Sequence, residues 1–237
     1  MNYLITALCG IGLLIYSILL GSAIVYGFNH LPMKLAVDVG ERPMEENRKL
    51  ADVSCKYTMP AVFIILTFGM WIKWGLPLAI AGSVYMWPMI LIAITDYYYK
   101  VIHEKLIAVA ILGNLALIPF TEGVSTKWRF LVPVVIFAII NGIGYLLYKK
   151  MAFGGGDLML LVVMCISLTG TAVLLIFLAS VFLTVLHYIL SKILQGTMKF
   201  NVSSDGFVPM APYLVTAMAI YMVFFFRVPL YDIIIGL

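Results

Sequence analysis

The chain has 237 residues, 64% of them hydrophobic and 11% charged, with a formal net charge of +4, against roughly 25% charged residues in an ordinary soluble domain. So much apolar surface excludes a soluble globular core, and so modest a charge points to positively charged loops beside a membrane rather than to a nucleic-acid partner. The three cysteines, Cys9, Cys55 and Cys165, are odd in number and widely spaced, which excludes a disulfide framework and a CxxC metal pair.

A bilayer core of about 30 Å asks for roughly 17 to 25 apolar residues per helix. The first uncharged run, Tyr3 to Gly27, meets that length. Met1-Asn2-Tyr3 offers no basic stretch ahead of it, so it reads as a retained anchor and not as a cleavable signal. The loop 28–58 follows, in which Lys34, Arg42, Arg48, Lys49 and Lys56 are matched by Asp38, Glu41, Glu45, Glu46 and Asp52. It reads as a short, partly helical cytoplasmic flap broken near Gly40 and Pro43.

Further spans are expected at 59–72, 76–95, 106–120, 130–148, 158–170, 171–190 and 213–226. The uncharged run 158–191 is 34 residues long, too much for one upright helix at about 1.5 Å per residue. It breaks most easily at Thr169-Gly170-Thr171. The expectation is therefore an all-α, polytopic membrane protein of about eight transmembrane helices. No internal repeat or linker divides it, so residues 1–237 are read as a single domain.

Basic residues set the orientation, because Lys and Arg are retained in cytoplasmic loops. With the N-terminus outside, eleven of the fifteen basic residues fall inside: five in 28–58 and two each in 96–105, 149–157 and 191–212. Only Lys73, Lys127, Arg129 and Arg227 are left outside. The inner, cytoplasmic membrane is the expected location, with both chain ends outside.

Most of the eleven acidic residues lie in loops, but Asp96 closes the run Ile92-Ala93-Ile94-Thr95 and Asp157 opens Leu158-Met159-Leu160-Leu161. Each taken singly reads as an ordinary helix-end carboxylate at the headgroups. A charge at a helix centre costs roughly 2.5 to 3.5 kcal/mol on insertion, less toward the interface, so a pair of such acids on one face asks for a reason. Gly154, Gly155 and Gly156 run directly into Asp157. They either form a Gly-rich turn with an Asp cap, or leave a backbone without side chains that another backbone, a substrate's, can approach. Amides at a helix start also favour an anion there.

Four ordered motifs resemble the type IV prepilin leader peptidases, with the archaeal preflagellin peptidases as relatives. Gly154-Gly155-Gly156-Asp157 is similar to the family's GxGD, and Asp96, Ile102 and Leu106 match the spacing of its DxxxxxIPxxL. Gly21-Ser22 through Leu31-Pro32 resembles its GSxxxxxxxxLP, and Val208 to Leu214 resembles its late xPxxPxL stretch. The resemblance implies a GxGD aspartic endopeptidase with Asp96 and Asp157 as the catalytic pair and Gly154, Gly155 and Gly156 beside the substrate. The implied partner is a prepilin-like protein, whose short basic leader is cut off just after a glycine at the cytoplasmic membrane face.

The chain also departs from the pattern. His103 stands at the family's proline and Met159 where a lysine commonly follows the GxGD aspartate. Many bacterial members carry two zinc-binding CxxC pairs in the first loop, tied to N-methylation of the product; only Cys55 remains near that position. One thiolate cannot build a closed tetrahedral site, so no metal and no cofactor is expected, and the methyltransferase activity is not assigned.

Hydrolysis without a metal needs one carboxylate to activate water and one carboxylic acid to protonate the scissile carbonyl. Two acids that share one proton supply both. Asp96 and Asp157 are 61 positions apart with two expected spans between them, and an even number of crossings returns the chain to the same face. Three other readings stay open: an ion- or proton-coupled transporter using the same acids, a structural partner of a secretion machine, and a presenilin-like peptidase. His187 reads as a packed or hydrogen-bonded helix residue. Tyr97-Tyr98-Tyr99 reads as an interfacial aromatic belt or as the lining of a substrate groove.

Overall fold

The computed structural model describes residues 2–30, 53–121, 130–149, 154–193 and 208–226. They form eight α-helices and no strand, as the hydrocarbon phase requires of an open chain, since a helix satisfies its own amides and carbonyls. The helices are α1 (Asn2–Asn29), α2 (Val53–Trp74), α3 (Leu76–Tyr99), α4 (Glu104–Leu115), α5 (Leu131–Tyr148), α6 (Gly155–Ser167), α7 (Gly170–Ile193) and α8 (Ala211–Phe224). A 3₁₀ turn, Ile118–Phe120, follows α4.

Each expected span overlaps one of these helices, but α4, of 12 residues, is shorter than the crossing expected over 106–120. By length and composition α1, α2, α3 and α7 can cross a membrane, whereas α5, α6 and α8 are shorter apolar helices. The chain is thus a polytopic helical membrane protein.

α1 buries only one stripe, Leu13, Ser17, Gly21, Ile24 and Phe28, at the three- and four-residue spacing of a single helix face. The rest of its surface is exposed apolar side chain, as expected of a helix against lipid. Its stripe meets α2. Gly21 is the point of closest approach, where a Cβ would lie 2.4 Å from the backbone N and Cα of Pro60. One turn away, the Ser17 and Thr67 hydroxyls are hydrogen-bonded to each other; with one proton each, one donates across to the other helix while the second donates to the carbonyl one turn back in its own helix, Leu13 or Phe63. Small residues and paired hydroxyls are what hold helices together where burial in lipid gives no hydrophobic gain.

α2 turns directly into α3 through Gly75, at φ +91, with Pro77 in the first turn of the new helix, where its missing N–H costs nothing. α3 is the hub, buried along most of its length, and it packs on α1, α2, α4 and α8. Gly113 of α4 packs against Val84 and Pro88 of α3. Asn114 reaches across to donate to the Val163 carbonyl of α6.

Several boundaries differ from expectation. α2 starts at Val53, so residues 53–58 of the expected 28–58 loop are already helical; a helix carrying Lys56 continues past the apolar run into water. Residues 31–52, including the expected break near Gly40 and Pro43, lie outside the described residues. α6 starts at Gly155, so two of the three glycines belong to its first turn. The break between α6 and α7 falls at Leu168-Thr169, next to the expected site, with the Thr169 hydroxyl accepting from the Ala172 amide at 3.2 Å.

Candidate active site

Asp96 lies in the last turn of α3, which ends on Lys100 in the left-handed conformation, φ 60, its amide bonded to the Asp96 carbonyl. Its side chain is 6% exposed. The carboxylate oxygen Oδ2 accepts from the Ala211 backbone N–H at 3.1 Å. Ala211 is the first residue of α8, and its amide is one of those that a helix start leaves without an intrahelical partner. The carboxylate of one helix therefore caps another, 115 residues later in the chain. This gives the Val208–Leu214 stretch a structural task that sequence alone did not assign.

Asp157 lies in the first turn of α6, after the N-cap Gly154, and the Gly154 backbone amide hydrogen-bonds its carboxyl. The same turn of backbone amides presents the positive end of the helix dipole to it. Asp157 is within electrostatic reach of Asp96, and Lys100 is within reach of Asp96. Asp96 at the end of α3 and Asp157 at the start of α6 thus feel each other's charge, although they come from separate helices.

Packing of the surrounding turns holds that arrangement. A Cβ on Gly156 would lie 2.8 Å from Cβ of Ile102, so the residue six positions after Asp96 fills the space that the glycine before Asp157 leaves empty. His103 begins α4, its Nδ1 accepting from the Lys105 amide at 3.1 Å. A proline could not do this with its side chain, so the departure from the family pattern is absorbed by a side-chain cap.

The three glycines are not equivalent. Gly154 and Gly155 are exposed, and nothing lies within 4 Å of a Cβ on Gly155, whereas Gly156 is committed to Ile102. Open space lies beside Gly155, while a Cβ on Gly154 would lie 3.4 Å from Oδ2 of Asp157.

His187 of α7 is hydrogen-bonded through Nδ1 to the Tyr213 hydroxyl at 2.6 Å, in keeping with a hydrogen-bonded helix residue. The tyrosine triplet divides its work: Tyr98 and Tyr99 stack near Phe28 of α1, each with ring centroids 5.6 Å away, while Tyr97 is exposed. Among the described residues no group of three His, Cys, Asp or Glu side chains could hold a metal ion. The loop in which relatives carry CxxC pairs lies outside those residues.

The helices make up a polytopic membrane protein in which two acids lie within electrostatic reach of each other. Residues 83–189 match the model of the type IV leader peptidase family, which supports the family that the motifs resemble and, in general terms, a leader-peptidase-type protease. The matched segment contains Asp96, Ile102, Gly156 and Asp157; the Gly21-Ser22 and Val208–Leu214 patterns lie outside it. Comparison with curated proteins and with solved structures gave no match.

Proposed function

We propose that the chain is a membrane-embedded aspartic endopeptidase that removes the short basic leader from prepilin-like precursors, with Asp96 and Asp157 as its catalytic pair. The observation that supports this reading is that the two acids, one from the end of α3 and one from the start of α6, lie within electrostatic reach of each other. Two carboxyls so placed share one proton more readily than they both ionise. The ionised member takes a proton from water, whose oxygen attacks the scissile carbonyl, while the protonated member donates to the carbonyl oxygen. Collapse of the tetrahedral adduct breaks the C–N bond, and a proton returned to the departing nitrogen completes the hydrolysis. Ala211 engages Oδ2 of Asp96, which leaves Oδ1 for water.

The site is proposed to face the cytoplasm of the inner membrane, with the N-terminus outside, on the strength of the eleven-to-four distribution of basic residues. No cofactor takes part in the proposed chemistry. A proton- or ion-coupled transporter would use the same acids, but its carboxylates belong near mid-membrane, often on broken helices. Here they sit at helix ends. Incubation of the purified full chain with prepilin-like precursors, with the cut read by mass spectrometry, tests the proposal. Cleavage after a glycine next to the apolar segment is expected, and intact precursors throughout the panel would overturn it.

A further inference from the structure

Beside Asp96, but separate from the acid pair, a cavity of 470 Å³ opens between α2, α3 and α8. Its α2 wall is Cys55, Met59, Val62 and Leu66, at the four- and three-residue spacing of one helix face. Its α3 wall runs along a matching face from Met86 to Tyr98, about 18 Å at 1.5 Å per residue. The α8 wall runs from Pro212 to Ala219. The cavity is therefore an elongated trough parallel to the helices.

One end of that trough lies at the candidate site. Tyr97 follows Asp96 in the chain, and Pro212 follows Ala211, whose amide holds the Asp96 carboxylate. Among the described residues no charged side chain lines it. The hydroxyl of Thr216 is satisfied within its own helix by the Pro212 carbonyl at 2.7 Å, so that wall offers shape rather than polar recognition. The size is decisive about what fits. A helix about 10 Å across and 18 Å long occupies roughly 1,400 Å³, more than the cavity can enclose, so only one stripe of its side chains can sink in, as a ridge enters a groove.

We propose that this trough seats the apolar segment of the substrate as a helix of about 12 residues, one stripe buried between α2, α3 and α8 and the opposite face left to lipid. The proposal rests on the peptidase reading and deepens it: an occupant that fills the trough lengthwise emerges at Asp96, so the trough sets which peptide bond the acids can reach. Its floor of small side chains, Ala93 and Ala219, admits branched side chains at the spacing of that stripe.

Native Cys55 lies in the wall and supplies the probe. The full chain carrying Asp157→Asn, so that a bound precursor stays uncut, is oxidised with prepilin-like precursors bearing single cysteines moved stepwise through their apolar segment. Disulfide yield should peak at positions three or four apart, at least fivefold above the intervening ones, and vanish in Cys55→Ser. Thr216→Trp, at the exposed rim of the trough, should lower the peak yield at least fivefold. Yields without periodicity, or unchanged by Cys55→Ser, would overturn the proposal and leave a lipid chain as the occupant. Cleavage by the unmodified chain is scored separately. Cleavage without periodic cross-links sinks the trough and keeps the peptidase; periodic cross-links without cleavage do the reverse.

Discussion

Gly156 and Ile102 occupy one space: the glycine before one acid is filled by the isoleucine six residues after the other, with 2.8 Å between a Cβ at 156 and Cβ of Ile102. Gly156→Ala should therefore push the first turn of α6 away from the turn that follows α3. A loss of roughly 1–3 kcal/mol in stability is expected for overpacking of this kind, together with a loss of cleavage. Gly155→Ala meets no neighbour and should keep the thermal stability of the unaltered chain while raising KM, if substrate backbone passes there. Equal melting temperatures for the two variants would refute the packing role of Gly156.

Asn at either aspartate keeps the volume but removes proton exchange. Asp96→Asn and Asp157→Asn should each lower kcat by about 10²–10⁴-fold, with expression and membrane insertion unchanged. Because one member of a concerted unit already carries most of the loss, the double variant should be little worse than either single one. Near-normal cleavage by either variant would remove the pair from the chemistry and favour the transporter.

A shared proton also makes the titration a property of the pair. The rate should follow a bell-shaped pH profile with two apparent constants that belong to neither residue alone. A profile rising to a plateau without a descending limb would mean that only one of the acids titrates in the reaction.

Orientation can be read by labelling. A cysteine placed at Lys149, the left-handed C-cap of α5, should react with an impermeant thiol reagent only when the cytoplasmic face is opened. Labelling from the outer face of intact cells would invert the proposed topology.

Chelation tests the proposed metal-free chemistry. Strong chelators should leave the cleavage rate within error of the untreated protein. Loss on chelation that zinc restores would show that a metal takes part.

The helices were legible because lipid demands long uncharged runs, and α1 to α8 follow those runs closely. Asp96 and Asp157 stood out for the same reason, as acids set against apolar sequence. The Ala211 contact was not legible, since every residue but proline carries the same backbone donor and only the fold selects which one reaches Asp96. Nor was the α6 start, because Gly155 and Gly156 look like turn residues until Ile102 is seen against Gly156. The trough was hidden for a third reason: Ala93, Val215 and Ala219 are ordinary apolar helix residues, and a space between helices leaves no mark in any one of them.

The hydrogen bond from Ala211 to Asp96 also has a meaning for biosynthesis. The Gly21–Pro60 crossing joins the first two helices of the chain and can form as soon as α2 has inserted. The site draws on positions 96, 157 and 211 in turn, so it closes only when α8 arrives. A nascent chain halted before α8 would hold both acids, yet Asp96 would lack the amide that fixes its carboxylate.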